Sequence, residues 1–160
     1  IMKYVLIVML VLFPSMLSAG SVNDKVALAD LASLKIICDV NVGEAKLLLR
    51  RLELIDETYS QLLDAGVSPT IVVAFRGGAS QYVTKGDKYV AAEDAQAKKE
   101  IQGWVDQFRQ HGFRLEQCAI AAKAHKVDPQ DLLPAVTVVQ NAYISIVAYQ
   151  ARGYALLPMD

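Results

Sequence analysis

Cysteine is scarce in this 160-residue chain: there are two, Cys38 and Cys118. Two cannot frame a disulfide-built scaffold. Neither belongs to a Cys-x-x-Cys pair or to a zinc-ligand spacing with His111 or His125. No metal centre is therefore expected. The glycine patterns that cradle phosphates are also missing, since neither Gly-x-Gly-x-x-Gly nor the P-loop occurs. No Gly-x-Ser-x-Gly elbow is present, which removes one serine-nucleophile arrangement. No cofactor is expected on this reading. Charge of one sign is lacking too: 16 Lys and Arg against 17 Asp and Glu leave a net −1. With no basic run and no interleaving of aromatic and basic residues, nucleic acid is not an expected partner. No internal repeat or low-complexity segment is visible.

Apolar residues are plentiful, with a mean hydropathy of +0.29. Part of that comes from the N-terminus. Lys3 precedes the apolar block Tyr4 to Phe13, then Pro14, then the small-residue stretch Ser15 to Ser21. A positive start, an apolar block of about ten residues and a small-residue exit form a secretory signal pattern. Cleavage after Gly20 would leave Ser18 and Gly20 at the two small-residue positions. No lipobox-type cysteine is present, so a lipid anchor is not expected. The uncharged span from Tyr4 to Asn23 is also long enough to cross a bilayer. Residues 1–20 therefore read as a signal peptide or an N-terminal anchor, 21–33 as a linker and 34–160 as one domain. The expected location is periplasmic, with membrane attachment only if residues 4–23 are retained. Removing residues 1–20 takes away Lys3 alone and moves the net charge from −1 to −2.

Strand-like and helix-like patterns then alternate. Leu34 to Val40 reads as a strand, with Asn41-Val42-Gly43 as its exit. From Glu44 the spacing of Leu48, Leu52, Ile55, Tyr59 and Leu62 predicts one face of a helix, stopped by Gly66. Thr70 to Phe75 is a β-branched run typical of a strand buried on both faces. A short helix is expected over residues 79–83, a surface loop over 84–92 and a helix from Glu93 to Gln110. Phe113 to Gln117 and Val136 to Val139 read as strands, Ala119 to Lys126 and Tyr143 to Arg152 as helices, and Tyr154 to Leu157 as a last strand. This alternation predicts an α/β fold: a three-layer α/β/α sandwich with about five mostly parallel strands.

Ligands of open parallel sheets bind beyond the carboxyl ends of the strands. Those ends carry Asn41, Arg76, Cys118 and Asn141. Cys118 closes a strand and opens a helix, where unpaired N–H groups and the helix dipole favour a thiolate. Arg76 could pair with an anion and hold the thiolate charge. Gly77 and Gly78 could present backbone N–H groups to a ligand, as anion-binding nests do. The plainer reading is that strand ends are polar and Gly-Gly is a turn. Cys38, inside a strand, reads as a small core residue. A disulfide between two such positions would strain the required Cα spacing. His111 suits the end of a helix dipole, and Tyr143, Tyr149 and Tyr154 read as packing or subunit-contact residues.

The run from Glu116 to Ala122, then Val127 to Pro134, Val138 to Asn141 and Tyr149 to Tyr154 resembles the DsrE/DsrF-like family. The shared form is a Cys after a strand, a short helix, an acidic-Leu-Leu-Pro turn, a Val-Val strand and a Gln-x-x-Gly-Tyr close. The resemblance spans about residues 34–158. It implies a flavodoxin-like sandwich that assembles as a homotrimer or hexamer. It also implies that Cys118 matches the cysteine that carries sulfane sulfur as a persulfide. Two departures stand out: an export signal where relay proteins are cytoplasmic, and Phe75-Arg76-Gly77 where many relatives have His-Gly. The expected function is thus a periplasmic sulfur-binding or sulfur-trafficking protein, with a sulfur donor or acceptor protein as partner. A non-catalytic oligomeric scaffold and a small-anion binding module using Arg76 and the Gly-Gly turn are the alternatives.

Overall fold

The computed structural model describes residues 24–160. The segment read as a signal or anchor lies outside the described residues. Five strands, β1 (Ser33–Val40), β2 (Ser68–Phe75), β3 (Arg114–Cys118), β4 (Thr137–Val139) and β5 (Ala155–Met159), form one sheet. Every neighbouring pair is parallel, in the order β4-β3-β2-β1-β5. The helices are α1 (Ala45–Asp64), α2 (Ala95–Gln110), α3 (Ala119–Ala124) and α4 (Ala142–Ala151). The layered, parallel expectation therefore holds. The strand order differs from the flavodoxin order, 2-1-3-4-5.

That order dictates where the helices lie. Strands β1 to β4 are laid down in one direction, and right-handed crossovers put α1, α2 and α3 on one face. The chain then returns past β1 to place β5, so its crossover, α4, must cover the opposite face. The two cores match. On the first face Leu48, Leu52, Ile55, Ile101, Val105 and Phe108 pack on Ile36, Cys38, Val40, Val73 and Phe75. On the second, Ile146 packs on Ile37, Val72 and Ala74, with Tyr149 and Tyr154 at its margin. Each fully buried large side chain contributes about 1.5–3 kcal/mol, so the first face supplies most of the hydrophobic stabilisation. The ten-residue α4 is apolar nearly all round, AYISIVAYQA. Its outward residues Tyr143, Ile144 and Val147 stay exposed.

Local chemistry explains the element boundaries. Glu44 caps α1 by accepting from the backbone N–H groups of Lys46 and Leu47. All four helices close with a backbone bond that wraps past a left-handed residue, such as Val67 N–H to Leu62 carbonyl. In α1, α2 and α4 that residue is Gly66, Gly112 or Gly153; in α3 it is Lys126, at φ 57°. This stops α3 at Ala124, two residues short of the sequence expectation, which saw no glycine there. The short helix expected at 79–83 is a 3-10 turn at Gly77–Gln81. Within the segment read as linker, Leu28 packs against the core. The surface loop 84–92 is pinned from below by Lys98, which is fully buried. Its ammonium donates to Thr84 Oγ1 at 2.7 Å and to the Gly86 carbonyl, and burial lowers its pKa. No helix among the described residues is long and apolar enough to cross a membrane.

Candidate functional site

Side chains along a strand alternate between faces. Cys38, Val73 and Leu115 are neighbours in register and face the α1–α2 core. Asp39, Arg76 and Cys118 are each one or three positions out of step with that row and belong to the α4 face. The helix after β3 leaves to one face and the helix after β4 to the other. Such a divergence opens a crevice at the carboxyl edge of a parallel sheet. Cys118 ends β3 at this crevice, and α4 begins across it.

Cys118 is 4 % exposed, not open to solvent as the sequence reading of a reactive thiol requires. The helix that shelters it was also misassigned from sequence. Cys118 occupies the N-cap position of α3, but its side chain makes no capping bond there. Its Sγ instead accepts the backbone N–H of Ala142, the first residue of α4, at 3.4 Å. Asn141 directs its side chain to the Tyr143 N–H at 3.0 Å and so caps α4. That bond organises the helix start that faces the thiol. Both cysteines are free, and they point to opposite faces of the sheet.

Arg76 lies beside this thiol in a fixed setting. Its Nε and Nη2 donate to the two carboxylate oxygens of Asp39 at 2.6 and 2.7 Å, a bidentate fork. Its Nη1 donates to the Tyr143 hydroxyl at 3.2 Å, and its guanidinium carbon sits 4.7 Å from that ring's centroid. The Asp39 hydrogen bond raises the arginine's pKa against the opposing effect of burial, and Cys118 adds a smaller favourable charge interaction. Both partners of the pair are mostly buried, with side chains 18 % and 14 % exposed.

Gly77 and Gly78 press against the β1 exit. A Cβ on Gly78 would lie 2.3 Å from Gly43 Cα, and one on Gly77 would lie 2.8 Å from the Asn41 carbonyl oxygen. Gly77 also holds φ at +53°. These glycines let two loops meet, which accounts for them without a ligand. Asn41 contributes its backbone to that contact. The crevice thus brings together Arg76, Cys118 and Asn141, and the glycine turn braces its β1–β2 side.

Sequence reasoning missed Asp39 and Gly43, and it gave Tyr143 a packing or subunit-contact role. Asp39 carried a signal: it is the one acidic residue in the otherwise apolar second half of β1. Glu116, on the same sheet face two residues before Cys118, was also missed. It is buried and takes hydrogen bonds from Arg114 Nε at 2.7 Å and the Tyr149 hydroxyl at 2.9 Å. Among the described residues no group of three or more His, Cys, Asp or Glu is placed to hold a metal ion.

A solved structure of a protein of unknown function from Methanobacterium thermoautotrophicum has the same fold. Its TM-score is 0.62 at 19 % identity, covering 78 % of this chain and 98 % of that one. An uncharacterized protein of Aquifex aeolicus (strain VF5) is 25 % identical over 126 residues. That match takes in 78 % of this chain and 56 % of the relative, so the chain spans little more than half the length of that protein. Residues 43–159 match the DsrE/DsrF-like family, and the chain belongs to that family.

Proposed function

We propose that this protein is a sulfur-trafficking protein that holds sulfane sulfur on Cys118. The family is generally one of sulfur-relay proteins. The observation that carries the reading is the Ala142 N–H donating to Cys118 Sγ, with the Arg76 guanidinium close enough to feel the thiol's charge. That amide holds the sulfur at the crevice, and the thiolate form of a cysteine is the species that attacks sulfane sulfur. Attack of that thiolate on the outer sulfur of a persulfide or polysulfide forms the new S–S bond. The donor's remaining thiolate is the leaving group, so no external oxidant is needed. Arg76, its charge met by the Asp39 carboxylate, acts here as a positioning residue. Its fork is taken by Asp39, which weakens the reading of a free small-anion module built on Arg76.

The N-terminal pattern favours export, so we place the protein in the periplasm, tethered only if residues 4–23 are kept. The test is chemical. After incubation with polysulfide and desalting, treatment with cyanide should release thiocyanate in proportion to Cys118, and Cys118→Ser should release none.

The burial of Cys118 favours a second reading, an oligomeric scaffold or accessory subunit without covalent chemistry. Family members typically oligomerise, and we infer a homotrimer or hexamer assembled through the outward face of α4, where Tyr143, Ile144 and Val147 lie exposed. Val147→Lys should shift the sedimentation of the protein toward the monomer. Thiocyanate release unchanged by Cys118→Ser would leave the scaffold reading in its place.

A further inference from the structure

A cleft of about 690 Å³ opens on the α3 side of the sheet, lined among others by Lys88, Tyr89, Ala122, Lys123, Lys126 and Val127. Cys118 is not among its lining residues. We propose that this cleft is a second site, which binds a small organic anion: a phosphate or carboxylate carried on an apolar or planar body. Nothing in this proposal depends on the sulfur chemistry of Cys118.

Three observations converge. The first is charge. Lys88 is held by Asp131 at 3.2 Å, while Lys123 and Lys126 have no carboxylate partner among the described residues. Asp128, also in the lining, accepts the Gln130 N–H at 2.9 Å through its carboxylate. The rim is therefore cationic, with two ammonium groups uncommitted.

The second is the backbone at Lys126. Among the described residues four α-helices end on a left-handed residue; three use glycine, and the fourth uses Lys126. A lysine in that conformation is strained where glycine is not. Its side chain belongs to the cleft. A local strain kept at a pocket wall is an outlier from which a functional role can be inferred.

The third is a preformed wall. The Tyr89 hydroxyl donates to Asp131 Oδ2 at 2.5 Å and accepts the Asp128 N–H at 3.0 Å. Lys85 ties the same loop to the 128–131 turn through the Asp131 and Gln130 carbonyls. The ring is thereby fixed beside the apolar floor of Ala122 and Val127. A rigid aromatic wall lowers the ordering cost of binding. The volume lies within the range of small-molecule sites, roughly 300–1,000 Å³.

The experiment uses the full chain, with AMP and naphthalene-1-carboxylate as probes and adenosine as the uncharged control, followed by calorimetric titration. The expected result is saturable binding of at least one anion at or below about 1 mM, with adenosine weaker. Lys126→Gly and Lys123→Gln should each weaken that binding by about tenfold. Lys126→Gly should also melt about 2–4 °C higher, because glycine relieves the strain, so lost binding cannot be lost folding. Neither variant should change sulfur loading at Cys118. Variants that bind as tightly as the parent would overturn the proposal. So would the absence of saturable binding of both anions at or below about 1 mM.

Discussion

Arg76 and Asp39 meet fork to fork, at 2.6 and 2.7 Å, on the sheet face that also carries Cys118. They come from the ends of adjacent strands, and the pairing cancels a positive charge beside the thiol. The consequence is a crevice close to neutral rather than an anion trap.

Asp39→Asn should therefore change the site's charge preference. Without the carboxylate, Arg76 presents an uncompensated charge toward Cys118. The ratio of Cys118 alkylation rates with iodoacetate and iodoacetamide should rise several-fold at low salt and fall back as salt screens the charge. Comparing an anionic with a neutral reagent removes any general loosening of the fold, which would speed both. An unchanged ratio would mean that Arg76 does not act on the thiol.

The glycines at the β2 exit should behave unlike a glycine elsewhere. Gly78→Ala forces a Cβ to 2.3 Å from Gly43 Cα, a backbone atom that cannot swing aside. The expected loss is about 1–3 kcal/mol, as for overpacked sites. Gly103, inside α2, has nothing within 4 Å of the same added atom. Gly103→Ala should stabilise the protein by about 0.5–1 kcal/mol. Denaturant unfolding of both variants measures the contrast, and equal effects would show that the two loops do not touch as described.

Cys38 should be inert and should shape the alkaline limb of stability. Burial pushes its pKa from 9.0 up to about 12. The folded chain therefore keeps a proton that the unfolded chain loses above about pH 9. The stabilisation is complete below pH 9 and is lost as pH rises toward 12, at up to about 1.4 kcal/mol per pH unit. Unfolding at pH 7 and pH 10 should show the parent losing more stability than Cys38→Ala. Identical losses would contradict the burial.

The sheet was legible because short β-branched runs such as Thr70 to Phe75, bounded by Pro69 and Gly77, are typical of strands buried on both faces. The helix faces were legible through the spacing of Leu48, Leu52 and Ile55. Arg76, Cys118 and Asn141 were placed at one edge correctly, since the carboxyl ends of parallel strands must share an edge. What stayed hidden depends on contacts between distant segments. The strand order, and with it the crossover that brings Ala142 to Cys118, is not written in local periodicity. The Asp39–Arg76 pair needs two strands in register before it exists. The stop of α3 at Ala124 was missed because Lys126 does the work that glycine does in the other helices.

Sulfur loading of Cys118 is the central claim, and intact-mass spectrometry after polysulfide treatment measures it. The parent and Cys38→Ser should gain about 32 Da per sulfur atom, reversed by a thiol reductant, because the thiolate next to the Ala142 amide attacks sulfane sulfur. Cys118→Ser should gain nothing while unfolding at the same denaturant concentration as the parent within error. If Cys118→Ser gains sulfur as readily as the parent, or the parent gains none, Cys118 is not a sulfur carrier.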